Sequence, residues 1–146
     1  MKLTAKGRYA VMALVDLAAQ GVGACESLQA ISARQSISVS FLEQIFGKLR
    51  RAGMVESQRG AAGGYKLCAA PHEVTLEKII FAVDEGIKAH GCTPEAKVAC
   101  TGGTERCLTH NLWGALESNI EQFLASITVQ DVVDGKLPVA ELEAAE

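Results

Sequence analysis

Val39-Ser40-Phe41-Leu42-Glu43-Gln44-Ile45-Phe46-Gly47-Lys48-Leu49-Arg50-Arg51-Ala52-Gly53 runs directly into Met54-Val55-Glu56-Ser57-Gln58, Arg59-Gly60-Ala61-Ala62-Gly63-Gly64 and Tyr65-Lys66-Leu67-Cys68. This passage from helix to hairpin decides the fold. Leu42, Ile45, Phe46 and Leu49 recur at i, i+3, i+4 and i+7, the spacing that puts four apolar side chains on one helix face, and Gly53 stops the run. Ser40 and Glu43 also fit a Ser-x-x-Glu capping box. Beyond Gly53, two short strand-like runs flank a glycine-rich tip, which predicts a hairpin. The tip is no phosphate-binding P-loop, because Tyr65 separates Gly64 from Lys66.

Upstream, Ser27 is placed to cap a short helix from Leu28 to about Arg34, and Gln35–Ser38 reads as a turn. Two short helices, a tight turn and a hairpin together make a winged helix-turn-helix. Before them, Thr4 caps a helix reaching about Gln20. Val11, Leu14, Val15 and Ala18 lie at inward spacing, and Ala10, Met12, Ala13 and Leu17 fall on other faces, so this helix is expected to be mostly buried. Gly21 and Gly23 end it.

Downstream, Pro71 opens a linker and Thr75 caps a helix from Leu76 to about Glu85, with Leu76, Ile79, Ile80 and Val83 inward. Periodicity vanishes from Ala89 to Leu108. Leu112, Trp113, Leu116, Ile120, Phe123, Leu124 and Ile127 then mark a long amphipathic helix over about Thr109 to Ser126. Thr128 caps a last short helix, Val129–Val133, ended by Gly135. The expected fold is mostly α with a small β-hairpin wing: a winged helix-turn-helix plus a long dimerisation helix. The expected division is a reading head over 1–70, a ligand loop and dimerisation helix over 71–134, and a mobile Ala/Glu-rich tail over 135–146.

Charge separates the two halves. The chain has 146 residues and a formal net charge of −3. Through Lys66 it holds nine basic and four acidic residues, a formal +5, against −8 for the remainder. A basic half on an acidic chain points to a polyanion partner for that half, and double-stranded DNA is the expectation. The longest apolar stretch, Ala10 to Ala19, is interrupted by Asp16 and is too short to span a bilayer. Lys6 and Arg8 are followed by a helix carrying an acid rather than by a cleavage site. A cytoplasmic protein with no membrane association is expected.

The stretch from His90 to His110 carries Cys92, Cys100 and Cys107, spaced C-x7-C-x6-C, with His110 three residues after the last cysteine. Its Gly, Thr and Pro residues offer little to pack, and long unpacked loops inside compact domains are usually functional. An odd cysteine count in a reducing compartment argues for metal or redox use rather than structural disulfides. Thiolates with one imidazole suit an iron–sulfur cluster. Structural zinc sites show tighter C-x2–4-C pairs, which makes zinc the weaker alternative. Cys107 and His110 share one face near a helix start, where the dipole favours thiolate. Cys25 and Cys68 are isolated and read as inert. His72 and His90 read as solvated, and Trp113 as core or interface. There is no C-x-x-C motif and no Ser/His/Asp order, so an enzyme and a small-molecule substrate are not expected.

Leu3-Thr4-Ala5-Lys6-Gly7-Arg8-Tyr9-Ala10, Ile37-Ser38-Val39-Ser40-Phe41-Leu42-Glu43-Gln44-Ile45-Phe46, the tip Arg59-Gly60-Ala61-Ala62-Gly63-Gly64-Tyr65 and Cys107-Leu108-Thr109-His110-Asn111-Leu112-Trp113 resemble, in that order, the IscR family of bacterial iron–sulfur transcription regulators, relatives of RirA and NsrR. The resemblance covers about residues 1–134. It implies a winged helix-turn-helix homodimer that senses iron–sulfur status, iron, nitric oxide or redox state and controls iron–sulfur assembly and related genes. In the IscR branch three Cys and one His hold a [2Fe–2S] cluster, and the matching positions are Cys92, Cys100, Cys107 and His110. Both cysteine gaps are longer than the five-residue gaps usual in IscR. The longer first gap is similar to that of RirA, whose relatives hold [4Fe–4S] clusters, whereas the Cys-Leu-Thr-His-x-Leu-Trp run resembles IscR; [2Fe–2S] is favoured over [4Fe–4S].

On the third helix, Ser38, Ser40, Glu43, Gln44, Lys48 and Arg51 avoid the apolar stripe and can face a major groove. There Gln suits adenine, Glu accepts from cytosine N4 and Ser reads several edges. For Ser40 and Glu43 the capping box is the alternative use. Arg59 with Gly60 at the wing tip suits a minor groove. Lys6, Arg8, Arg50 and Arg51 fall to phosphates or solvent.

Overall fold

A computed structural model of the protein describes residues 4–83, 86–88, 102–103 and 105–138. Helices α1 (Ala5–Ala19), α2 (Leu28–Gln35) and α3 (Val39–Arg51) are followed by strands β1 (Val55–Gln58) and β2 (Gly64–Leu67). A single 3-10 turn, Pro71–Glu73, leads to α4 (Leu76–Val83), α5 (His110–Ser126) and α6 (Val129–Val133). The strands pair antiparallel with Val55 opposite Leu67 and Gln58 opposite Gly64.

Local chemistry sets most helix starts. The hydroxyls of Thr4, Ser27 and Ser38 accept from the backbone N–H groups of Gly7 (3.3 Å), Ala30 (3.1 Å) and Phe41 (3.3 Å). Each cap satisfies one of the donors that a helix N-terminus leaves unpaired. The third cap corrects the sequence expectation. Ser40 and Glu43 form no capping box, because Ser38 is the cap and Ser40 already lies inside α3. The cause is the turn: Ser36 adopts a left-handed conformation (φ 55°) and Ile37 drops into the core, so the next residue must start the helix. At α6 a capping box does form, between Thr128 and Asp131. Asp131 accepts from the Thr128 N–H (2.8 Å) and hydroxyl (2.7 Å), and these bonds hold its carboxyl below the usual carboxylate range.

The core gathers around α1. Its fully buried stripe is Ala10, Ala13, Leu14 and Leu17, whereas Val11, Val15 and Ala18 are only half-buried. The expected stripe is thus rotated. α1 is covered by α4 and α6 as well as by α2 and α3, and the two alanines let neighbours approach closely. Leu42, Ile45, Phe46 and Leu49 of α3 join the same core, as do Val74, Ile79 and Val83 around α4 and Ile127 and Val129 around α6. The chain before α4 also pairs with the chain before α6: Leu76 N–H donates to the Ile127 carbonyl (3.0 Å) and Val129 N–H to that of Val74 (2.9 Å). These bonds fix the C-terminal end of α5, a helix about 25 Å long, to the body. No residue of α5 is fully buried, and Leu112, Trp113 and Phe123 are exposed.

One charged side chain, Asp16 on α1, is buried among the described residues. Its carboxylate accepts from Arg34 Nε (3.0 and 3.1 Å), Arg34 Nη2 (2.8 Å) and Gln35 Nε2 (2.8 Å), while the same guanidinium donates to Glu26 (2.9 Å). A carboxylate out of water is tolerable only when its lone pairs are filled, and here the charge and the hydrogen bonds come from α2. Removing the guanidinium leaves the carboxylate buried with Gln35 as its remaining side-chain donor. We expect Arg34→Ala to lower folding stability by about 2–4 kcal/mol, and Arg34→Lys, which keeps charge but loses the two-pronged geometry, to fall between. Urea unfolding checks this; an Arg34→Ala midpoint equal to the parent's would show that the pair contributes nothing.

Candidate nucleic-acid interface and metal-ligand turn

α3 is two-sided. Leu42, Ile45, Phe46 and Leu49 are buried, and Ser38, Ser40, Glu43, Gln44, Arg50 and Arg51 are exposed. Ser40, Gln44 and Arg51 fall with Gly47 on one stripe, four, three and four residues apart, and Arg51 Nε folds back onto the Gly47 carbonyl (3.2 Å). The Ser38 oxygen is used by the cap and its proton stays available to donate. Lys48 departs from its expected place. It is half-buried, and its ammonium donates to the carbonyl of Val83 in α4 (3.0 Å) rather than pointing with the stripe.

The wing is fastened to the rest of the head at two points, before α2 and on α3. Glu26, just before the Ser27 cap, exchanges two backbone hydrogen bonds with Tyr65 (3.0 and 2.8 Å) and so acts as a third, one-residue strand. The Tyr65 ring then tilts onto Phe46, with centroids 4.9 Å apart. Across the hairpin Lys66 meets Glu56 (2.8 Å), and this pairing raises the Lys66 pKa. Arg59 and Gly60 stand exposed at the tip, where Gly63 N–H closes a turn on the Gly60 carbonyl (2.9 Å).

These pairings sharpen the charge of the head. Of its four acids, Asp16 and Glu26 are held by Arg34 and Glu56 by Lys66. Glu43 has no ion-pair partner among the described residues, and Lys6, Arg8, Arg50, Arg51 and Arg59 remain toward solvent. The clamp residues Asp16, Arg34 and Glu26 were missed in the sequence reading, where Asp16 served only to interrupt an apolar stretch. An acid inside an otherwise apolar helix is a signal for a buried pair, but nothing local names Arg34 as its partner.

At the base of α5 the backbone turns sharply. His110, its first residue, donates its N–H to the Cys107 carbonyl (3.0 Å). Thr109 occupies the capping position without capping; its hydroxyl accepts from the Trp113 indole (3.2 Å) and lies 3.7 Å from Cys107 Sγ. Cys107 and His110 are half-buried, whereas Leu108 between them is fully exposed. A soft thiolate and an imidazole within one turn, at the positive end of a helix, form a donor set that fits iron or zinc. The other two expected ligands, Cys92 and Cys100, lie outside the described residues, as does His90.

A family model described as Rrf2, iron-dependent transcriptional regulator, matches residues 3–135. The chain belongs to the Rrf2 family. The HTH-type transcriptional regulator IscR of Vibrio campbellii is 50% identical over 133 residues, which are 91% of this chain and 77% of that protein. Among solved structures, CymR, the global cysteine regulator of B. subtilis, has a TM-score of 0.77 at 29% identity and covers 92% of this chain and 98% of its own. IscR of T. potens has a TM-score of 0.73 at 34% identity, over 93% and 88%. As an Rrf2 protein of IscR type this chain is a DNA-binding transcriptional regulator and not an enzyme, and its mostly helical fold with a two-stranded wing is the winged helix of that family. Among the described residues, no helix is long and apolar enough to cross a membrane.

Within this Rrf2 head the contact of the wing with Glu26 depends on Gly64. A Cβ on Gly64 would run into the Glu26 carbonyl and approach Ser27 N to 2.7 Å. Those atoms are backbone and cannot rotate away. Gly64→Ala is therefore expected to break the Glu26–Tyr65 bridge while leaving α1 and α3 folded. Amide exchange at Tyr65 should accelerate strongly and exchange at Leu42 and Ile45 should not; unchanged protection at Tyr65 would refute the close approach.

Proposed function

We propose that this chain is an iron–sulfur-sensing regulator that binds its operator as a homodimer in the cytoplasm and controls iron–sulfur assembly or iron-related genes. The observation that carries the reading is the turn joining Cys107 to His110 at the start of α5, in a chain whose family is described as iron-dependent. Cys92, Cys100, Cys107 and His110 are the proposed ligands, with [2Fe–2S] favoured over [4Fe–4S]. When bound, such a cluster supplies a cross-link whose presence follows iron supply and redox state. Cys107 and His110 would tie that link to α5, and Cys92 and Cys100 would tie it to the segment after α4. A His ligand holds metal only through its unprotonated ring nitrogen, so binding weakens in acid. The longer cysteine gaps favour a second reading within the same class, a [4Fe–4S] repressor answering to iron or nitric oxide.

The exposed Leu112, Trp113 and Phe123 support α5 as the dimer face, since a two-fold interface presents the same apolar patch on both copies. Ser38, Ser40, Glu43 and Gln44 would read base edges in the major groove. Arg59, with Gly60 giving it room, would enter the minor groove, and Arg50 and Arg51 would meet phosphates.

Anaerobically purified protein should show broad visible absorption with bound iron and sulfide. A colourless protein carrying zinc would overturn the sensing reading, since zinc has a full d shell. His110→Ala should fold and dimerise yet give a changed spectrum and a lower iron content. A spectrum identical to the parent's would exclude His110 as a ligand.

The wing assignment has its own check. Arg59→Ala is expected to weaken operator binding by about 1–3 kcal/mol at matched salt, while Cys25→Ala leaves it unchanged. Equal affinities for the Arg59 variant and the parent, measured by fluorescence anisotropy, would remove Arg59 from the interface.

A further inference from the structure

Lys48 lies on the reading helix, but its ammonium donates to the carbonyl of Val83 in α4, 3.0 Å away. A half-buried ammonium needs such an acceptor to offset its lost hydration. The same corner is fixed in two further ways. Gly86 turns at φ +101°, with the Phe81 ring so close that a Cβ would lie 2.7 Å from it, and Ile87 is buried. The chain that goes on to Cys92 thus departs from a corner strapped to α3. α4 also contacts α5, the helix that begins at the Cys107–His110 turn. Lys48 is the polar side-chain bond across the α3–α4 junction among the described residues.

We infer that Lys48 is a positioning residue that straps the reading helix to α4, and so to the ligand-bearing segment, rather than a phosphate contact. The strap itself follows from geometry. Its regulatory consequence, that the cluster state reaches α3 through Lys48, rests on the function proposed above. A shift of α4 by a fraction of an ångström would be passed to α3 through this bond, and would alter how Ser40, Gln44 and Arg51 enter the groove without any change in their identity.

Lys48→Met keeps the aliphatic stem and removes the charge, and Lys48→Arg keeps the charge. A lysine that neutralises a phosphate contributes about 0.9 to the slope of log K against log salt. The Lys48→Met slope is expected to equal the parent's, whereas Arg51→Ala, as the comparison, should lower it by about that amount. Amide exchange at residues 86–88 and in the last turn of α3 should be faster in Lys48→Met and restored in Lys48→Arg. With the cluster bound, the ratio of operator affinities between cluster-loaded and cluster-free protein should fall toward one in Lys48→Met. A Lys48→Met slope reduced by about 0.9, or exchange unchanged from the parent, overturns the strap. An unchanged affinity ratio together with accelerated exchange overturns the coupling. A parent that carries no cluster defeats the functional reading alone, and the slope and exchange measurements still decide the strap.

Discussion

The buried carboxylate of Asp16 is the constraint on which the reading head depends. Placed in the middle of α1, among alanines and leucines, it is tolerable only where a cation and further donors reach it, and α2 supplies both through Arg34 and Gln35. This sets how α2 lies on α1 more specifically than apolar contact could, since hydrophobic burial is non-directional and a bidentate guanidinium is not. The same Arg34 reaches Glu26, which holds Tyr65 of the wing by two backbone bonds, and Tyr65 leans on Phe46 of α3. One chain of contacts thus runs from the scaffold helix through α2 and the wing to the reading helix. The charges within it are paired internally, so the exposed arginines of α3 and the wing tip carry the basic surface of the head.

α4 has the corresponding place in the other half. It lies against α1, α3 and α5, and the chain before it pairs with the chain before α6. The C-terminal end of α5 is therefore fixed to the body, while no residue along the helix is fully buried. Such a helix suits contact with a second copy, because its apolar residues would otherwise stay in water.

Features governed by neighbours in sequence were legible in advance. Thr4, Ser27 and Thr128 cap the helices they precede, the Gly53 stop and the hairpin wing follow from turn chemistry, and the Leu42–Leu49 face of α3 follows from spacing. Features governed by tertiary proximity were not. Ser40 and Glu43 fit a capping box in sequence, but α3 starts at Val39, where expected, with Ser38 as its cap. The α1 stripe was rotated because α4 and α6, some 60 and more than 100 residues away in sequence, cover a second side of it. Lys48 is polar and lies off the apolar stripe, which is all that spacing can report; the carbonyl it meets belongs to a helix 35 residues on. At the ligand site the Cys107–His110 turn follows from i, i+3 spacing, while the positions of Cys92 and Cys100 lie outside the described residues.

The energies involved limit how such a regulator can work. Phosphate contacts supply most of the affinity of a small reading head and act on every sequence alike. Base-edge contacts discriminate at about 1–3 kcal/mol each. A bound ligand shifts affinity only by its differential interaction with two conformations, typically about 1–3 kcal/mol. Coupling of that size is comparable to one base contact and small beside the electrostatic total. At about 5–150-fold in affinity, it is still enough to empty one operator and leave another occupied.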